Sequence, residues 1–253
     1  MKLRLMIGWC ALAATVALGE DVTGKNVCGL MNVPSKAEVT MIAVPWVTVG
    51  GSADAMKVAD LVKTDTLSEN DELYYYDGGV YRCWKLSADR KWEPATVTLK
   101  DAKGNPVTIE APGDSYTLPR GKGLFLVRSN TEKEIWLYGQ YSTEKVSVTV
   151  AKGEVVDGKM VPAYTMIANP NTADYDLNTK GVGGAEGDLI LLDDAKTLYR
   201  YKDSSWKKQG TQEVTMGEIK KTLTTWVADG CVIPAGRGAW YVSKGGQPTI
   251  KWN

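Results

Sequence analysis

The amino-acid sequence predicts an all-β protein made of two tandem homologous modules of antiparallel strands, each a β-sandwich or an open barrel, with little helix. Short segments rich in β-branched residues recur along the chain, and turn signals separate many of them. Four sequence blocks also occur twice in the same order. Together these observations favour two copies of one β-rich unit.

The internal repeat sets the predicted boundaries. Each block keeps its order relative to the others, and a Tyr-Arg pair and a tryptophan follow the second block in both copies. A repeated strand must bury the same face in each copy, so we expect one module at residues 20–142 and another at 143–253. The main paired blocks are TMIAVP (40–45) and TMIANP (165–170), ELYYYD (72–77) and DLILLD (188–193), and LPRGKGLFLV (118–127) and IPAGRGAWYV (233–242).

Local patterns predict individual strands and turns. Alternation in VSVTV at 146–150 is typical of a strand with one solvent-exposed face. Asp77-Gly78-Gly79 predicts a hairpin turn because glycine readily takes a positive φ, and residues 193–196 occupy the same place in the second module. A further hairpin of the first module is predicted from residues 97–100 and 107–110.

Helix is expected at two short segments. Residues 53–63 place Met56, Leu61 and Val62 at a spacing that loosely fits one helix face, and residues 215–222 are the second candidate. All other periodic segments fit strands, which favours two antiparallel β-structures in series.

The N-terminus predicts export. Two basic residues precede an apolar run at 5–18, with Ala17 and Gly19 before the expected cleavage point, so residues 1–19 are typical of a signal peptide. A membrane anchor is the alternative, but the run is shorter than the roughly 20 apolar residues that span a bilayer. We therefore expect a secreted, periplasmic or cell-surface protein with no membrane span after cleavage.

Composition narrows the function. The chain has no histidine, which excludes the mechanisms that depend on imidazole. Without residues 1–19 it has 28 basic and 30 acidic residues, a formal charge of −2 with no basic stripe, so nucleic acid is not an expected partner. Cys28, Cys83 and Cys231 permit at most one internal disulfide, and the sequence leaves their pairing open.

The repeated blocks carry a family resemblance. TMIANP, LYYYDGG and IPAGRGAWYV resemble a repeated module of uncharacterised exported bacterial surface proteins. The resemblance implies a role in the cell envelope or at the cell surface, and it brings no catalytic residue and no cofactor with it.

An aromatic cluster in the first module is the predicted ligand or partner site. Tyr74 and Tyr76 share one face of a strand, and Tyr81 and Trp84 follow after the turn. Aromatic rings stack on sugars or pack against a partner protein, and the second module has aliphatic residues at the equivalent strand positions. The alternative is that these rings belong to the core.

Three oxygen-bearing residues are candidate metal ligands. The D-x-D-x-N spacing of Asp174, Asp176 and Asn178 matches the first ligands of a calcium-binding loop. The later positions do not match, because Thr179 stands where such a loop needs glycine and Ala185 stands where it needs a bidentate glutamate. A solvated polar loop is the alternative interpretation.

Other polar residues have two interpretations each. Asp71, Glu72, Glu186 and Asp188 fit either a pair of acidic catalytic groups or structural residues beside turns. Lys122, and Arg237 at the matching position of the second copy, stand between glycines. There the backbone either forms a small anion site or makes a tight turn with the basic side chain in water.

These patterns predict a non-enzymatic, extracytoplasmic structural or adhesive protein of the cell surface. The alternatives are a carbohydrate-binding protein and a glycoside-active enzyme, and the second is less favoured because its candidate acids lie beside turns and recur in both copies. The expected partners are a glycan, another surface protein or a second copy of the chain.

The export prediction has a direct test. We expect exported protein to begin at Glu20, because the charged start, the apolar run and the small residues at 17 and 19 together specify cleavage there. Intact-mass measurement checks this, and a mass that still includes residues 1–19 would refute it.

Overall fold

A computed structural model describes most of the chain after the N-terminal segment, which includes the predicted signal peptide. The described residues are 28–51, 55–77, 79–100, 103–113, 115–142, 144–192, 197–216 and 219–252. Nearly all of their regular structure is antiparallel β-sheet, which confirms the all-β prediction. None of their helices is long and apolar enough to cross a membrane.

The strands of the N-terminal half are short, and several of them pair with strands that are distant in sequence, such as Cys28–Val33 with Ile135–Gln140 and Val39–Ala43 with Gly123–Val127. One helical turn and one 3₁₀ turn, Thr64–Thr66, lie between the third and fourth strands. The elements of this half are β1 Cys28–Val33, β2 Val39–Ala43, β3 Ala55–Lys57, α1 Val58–Leu61, β4 Glu72–Asp77, β5 Val80–Leu86, β6 Trp92–Pro94, β7 Val97–Lys100, β8 Pro106–Ile109, β9 Thr117–Pro119, β10 Gly123–Val127 and β11 Ile135–Gln140.

The C-terminal half contains the two longest strands. They are β19 and β20, which pair with each other as a hairpin. The strands of this half are β12 Val146–Thr149, β13 Glu154–Val156, β14 Lys159–Val161, β15 Ala163–Ala168, β16 Tyr175–Asp176, β17 Leu189–Leu192, β18 Leu198–Lys202, β19 Ser205–Met216, β20 Ile219–Ala228, β21 Val232–Ile233, β22 Gly238–Ser243 and β23 Thr249–Trp252.

Among its described residues, each half has one main sheet and three smaller strand pairs. The main sheets have the orders β2-β10-β4-β5-β6 and β15-β22-β17-β18-β19-β20. Two of these pairs correspond between the halves, β1-β11 and β3-β9 in the first and β12-β23 and β16-β21 in the second. The third pair is the hairpin β7-β8 in the first half and the hairpin β13-β14 in the second, and these two lie at different points of the chain order. Apart from these two hairpins and the additional strand β20, the two halves arrange their strands in the same order.

Strand registers match as well. Phe125 lies opposite Met41 in the pair β10-β2, and Trp240 lies opposite Met166 in the pair β22-β15. The repeated blocks thus occupy equivalent positions, as expected if the halves share an origin. The assignment of both halves to one duplicated module stays a prediction that these registers support.

The apolar side chains form a separate core in each half. In the first half Leu73, Tyr75 and Leu86 of the main sheet pack against residues such as Val33 and Leu137 of the pair β1-β11. The core of the second half has the same plan, with the fully buried Trp206 among its largest side chains. Each half is therefore a small sandwich of a main sheet against shorter strand pairs.

Two glycine turns join the halves reciprocally. Gly121, with φ of 75°, lies against Val146 and Trp252 of the second half, whereas Gly236, with φ of 69°, lies against Met31 of the first half. The carbonyl oxygen of Gly121 accepts a hydrogen bond from the N–H of Ala168 at 3.1 Å, and that of Gly236 accepts one from Ala43 at 2.8 Å. Each half thus inserts its glycine turn into the other.

Both predicted helices are corrected. Residues 53 and 54 lie outside the described residues, and the remainder of the first candidate forms β3 followed by the single turn α1. The second candidate is wrong, because its described residues belong to β19 and β20. The Thr-rich sequence of β20 is typical of a strand, and cross-strand pairing decides its conformation.

The predicted hairpins are confirmed where they are described. β7 pairs with β8, one residue earlier on the second strand than expected, and β4 pairs with β5 around Gly79, whose φ is 92°. The second-module turn at 193–196 lies outside the described residues.

The glycine turns generate a stability prediction. Ala at position 121 must take a left-handed φ, and its Cβ would lie 2.5 Å from Val146 Cγ1. Gly158 has a similar φ of 73° but no atom within 4 Å of such a Cβ. We expect Gly121→Ala to lower the free energy of unfolding by roughly 2–4 kcal/mol and Gly158→Ala by about 1 kcal/mol, because only the first adds a steric clash to the backbone cost.

Urea denaturation of both variants measures this difference. Equal losses of unfolding free energy would show that the contact of the turn at Gly121 with the second half contributes nothing to stability.

Candidate functional site

A groove lies on the outer face of the first main sheet. The face that does not contact the core presents alternate residues of β4, β5 and β10, and the β7-β8 hairpin folds back over part of it. Ile109 of the hairpin is buried against Tyr74 and Cys83 of the sheet. The hairpin therefore forms one wall of the groove, and the sheet forms its floor.

The groove is largely apolar. Its volume is about 520 Å³, within the usual range for ligand sites. The hairpin contributes Leu99 and Val107, which are 45% and 46% exposed. The lining residues are Val39, Glu72, Tyr74, Tyr81, Leu99, Lys100, Val107, Ile109, Phe125 and Val127.

Tyr74 and Glu72 form the polar part of this groove. The Tyr74 hydroxyl donates a hydrogen bond of 2.6 Å to Glu72 Oε2, and Lys85 Nζ lies 3.9 Å from the other carboxylate oxygen. Burial and this hydrogen bond to the carboxylate raise the pKa of Tyr74 far above its ordinary value. Tyr74 therefore stays protonated, and its donor is already committed to Glu72.

Tyr81 and Cys83, which lie beside Tyr74, are also neutral near neutral pH. Burial raises the pKa of Tyr81, and burial together with the charge of Glu72 raises the pKa of Cys83 to about 11. Cys83 is thus an inert buried thiol, in contrast to the low-pKa thiols that act as nucleophiles.

The structure divides the four aromatic residues that the sequence grouped as a binding site. Tyr74 and Tyr81 line the groove. Tyr76 lies on the same sheet face but packs against Trp240 of the second half, with ring centroids 5.3 Å apart. Trp84 lies opposite Leu73 and is buried in the core, only 3% exposed.

The assignment of Trp84 as a ligand contact is therefore corrected. Side chains alternate between the two faces of a strand, so Tyr81 and Trp84, three residues apart, point to opposite faces. That spacing was visible in the sequence. Phe125, which the sequence analysis did not single out, is brought into the groove because β10 pairs with β4.

Two of the candidate catalytic carboxylates have matching structural contacts. Asp71 accepts hydrogen bonds from the N–H groups of Ser68 and Ser129, and Asp188 accepts them from Ala185 and Lys244. The contacts show that Asp71 corresponds to Asp188, which corrects the block alignment by one residue. Both side chains are buried, and both join the segment before a main-sheet strand to a neighbouring loop.

The other two candidate carboxylates are also occupied. Glu72 holds Tyr74 in the groove, and Glu186 accepts a hydrogen bond of 3.3 Å from the N–H of Asp203. Tyr241 donates a further hydrogen bond of 2.7 Å to Asp188. These contacts favour the structural interpretation of the four acids.

The candidate metal ligands contact different backbone segments. Asp174 accepts a hydrogen bond from the N–H of Ala235, and Asp176 accepts one from Asn178. The Asn178 side chain forms two hydrogen bonds with the backbone of Trp206. Within the described parts of the chain no three His, Cys, Asp or Glu side chains form a group that would hold a metal ion.

The two P-x-G-[KR]-G segments form tight turns. Gly121 and Gly236 supply the positive φ in each, as the turn interpretation requires. Arg237 departs from that interpretation, because its guanidinium donates a hydrogen bond of 2.6 Å to the carbonyl oxygen of Pro34 rather than extending into water. It therefore adds a contact between the halves.

This chain matches no family model, no curated protein and no solved structure. The resemblance of its repeated blocks to exported surface proteins accordingly stays a prediction. The features of the structure that bear on function are the groove and the exposed edge of β20.

The three cysteines have different environments, which the sequence had left open. Cys28 is exposed at the start of β1, whereas Cys83 and Cys231 are buried in separate apolar clusters, and all three are free thiols. Burial raises the pKa of Cys231 strongly as well.

Thiol alkylation should distinguish the exposed Cys28 from the two buried cysteines. We expect iodoacetamide at pH 8 to label only Cys28 in folded protein lacking residues 1–19, because Cys83 and Cys231 are buried and protonated. Peptide mass mapping locates the label, and unfolding in guanidinium should expose all three thiols. Rapid labelling of Cys83 in the folded protein would contradict the groove geometry.

Proposed function

We propose that this chain is a non-enzymatic, extracytoplasmic structural or adhesive protein of the cell surface that binds an apolar segment of a partner protein. The observation that carries this proposal is the groove between the first main sheet and the β7-β8 hairpin. Its floor is a strand-paired sheet and its lining is mostly aliphatic and aromatic. The predicted signal peptide supports the location outside the cytoplasm.

The chemistry of the groove favours a protein segment over a sugar. A sugar ring presents hydroxyl groups that need hydrogen-bond partners, and a buried polar group without one is costly. The Tyr74 hydroxyl and one oxygen of Glu72 already satisfy each other. Apolar side chains of a partner would instead fill the groove and contact the rings of Tyr81 and Phe125.

The edge of the groove also fits a protein interface. Lys100 and Glu72 supply charges beside an apolar, aromatic centre. Protein interfaces commonly combine a core that contains aromatic residues with a polar rim. Leu99 and Val107 lie opposite each other on the hairpin and are exposed enough to contact an incoming chain.

Charged substitutions on the hairpin test the groove. We expect Leu99→Asp and Val107→Asp to weaken binding of the apolar dye anilinonaphthalene sulfonate at least about tenfold, or about 1.4 kcal/mol, because each places a carboxylate in the apolar lining. Leu30→Asp is the matched control, since Leu30 is 52% exposed on β1 and does not line the groove. Fluorescence titration measures all three affinities.

The identity of the occupant is tested with the same variants. An array of aromatic and aliphatic peptides should bind the wild type and the Leu30→Asp variant but not Val107→Asp. Retention on a glycan array with no peptide binding would instead support the carbohydrate-binding alternative. Turnover of a glycoside would support the enzyme alternative and refute the proposal.

A further inference from the structure

β19 and β20 are the last two strands of the second main sheet, and they extend beyond β18 as a two-stranded arm. β18 pairs with β19 only over Ser205–Lys208, whereas β19 and β20 stay paired as far as Met216 and Ile219. Past Lys208 the two strands therefore continue as a ribbon with no third strand among the described residues. An isolated two-stranded hairpin is only marginally stable in water, so a ribbon of this kind favours additional pairing.

In the first half, the segment that corresponds to the arm lies differently. Nearly the same number of residues separates Trp92 from Leu118 and Trp206 from Ile233, which are matching buried positions of the two halves. In the first half this segment contains the β7-β8 hairpin, which folds back and buries Ile109 against its own sheet. In the second half the described residues of this segment form the arm, and none of those between Gln209 and Ala228 belongs to a buried apolar cluster.

No strand in the described part of the chain pairs with the outer edge of β20. β20 is the last strand in the order of its sheet, so alternate N–H and C=O groups along it point away from β19. On its described part, Thr222–Thr224 and Val227–Ala228 are exposed. A long exposed edge of this kind is a template for pairing with another strand.

We propose that two copies of this chain associate by antiparallel pairing of their β20 strands about Thr225. In this register Thr225 lies opposite its own counterpart, and Leu223 lies opposite Val227 of the second copy. Leu223 and Val227 are each 47% exposed, and they share one strand face because they are four residues apart. Pairing brings these four apolar side chains of the two copies together.

The occupant is a second copy because the strand is complementary to itself. Thr222–Ala228, with the sequence TLTTWVA, contains no charged residue, so antiparallel self-pairing places no like charges opposite each other. The arrangement is two-fold symmetric and closes at a dimer. It joins the two six-stranded sheets edge to edge, and no residue that lines the groove belongs to β20.

A single engineered cysteine tests the register. In a Cys28→Ser background, Thr225→Cys should form a disulfide-linked dimer under mild oxidation, because directly opposite Cα atoms are about 4.5–5.5 Å apart, within the range of a disulfide. Thr222→Cys in the same background is the control, since its two copies would lie about 20 Å apart at roughly 3.3 Å per residue. Equal cross-linking at both positions, or none at Thr225→Cys, would overturn the proposed register.

A charge exchange tests the association itself. Sedimentation velocity should show a dimer for the wild type and monomers for Leu223→Lys/Val227→Lys and for Leu223→Glu/Val227→Glu, because each double variant places like charges opposite each other. An equimolar mixture of the two should recover the dimer through Lys-Glu pairs across the strands. Circular dichroism verifies that every variant is folded.

The control variant places charged side chains on a different exposed hairpin. Val155 and Met160 lie opposite each other in β13-β14 and are 66% and 43% exposed, so Val155→Lys/Met160→Lys should remain dimeric. A monomeric wild type, loss of the dimer in this control, or no recovery in the mixture would each refute the proposal. A monomer that binds a synthetic β-strand peptide along β20 would assign the edge to a foreign strand instead.

Discussion

The reciprocal docking of two glycine turns is the constraint on which the arrangement of the two halves depends. Gly121 and Gly236 take a left-handed φ, and each turn approaches the strands of the opposite half so closely that a Cβ would clash. Backbone hydrogen bonds to Ala168 and Ala43 then align the main sheets. Only glycine combines that φ with that approach, so one residue type determines both the turn and the junction.

The junction also decides which surfaces remain available. Tyr76 and Phe125 of the first half pack against Trp240 of the second, which removes part of the aromatic face from solvent. What stays open is the region near Tyr74 and Tyr81, beneath the β7-β8 hairpin. The groove is thus the part of the outer sheet face that neither the second half nor the hairpin fully covers.

Corresponding segments of the two halves lie differently although the order of the main-sheet strands is the same. Asp71 and Asp188 make the same backbone contacts, whereas the segments after Trp92 and Trp206 differ in where they lie. One folds back onto its sheet and the other extends as an arm. A shared core plan therefore leaves surface hairpins free to create different binding surfaces in each half.

Alternation and repetition alone predicted the all-β class, the β4-β5 and β7-β8 hairpins, and the shared face of Tyr74 and Tyr76, because these follow from the two-residue period of a strand. The same rule, applied across the β4-β5 turn, would have excluded Trp84.

Tertiary structure decided the rest. Phe125 reaches the groove only through the non-local pairing of β10 with β4. The described residues of the second helix candidate became strand only because β19 and β20 pair with each other. The Arg237 guanidinium donates its hydrogen bond to the carbonyl oxygen of Pro34 only because the two halves pack against each other. Sequence determines which face of a strand is apolar, but contacts between distant segments determine what that face meets, since such contacts depend on the packing of the whole chain.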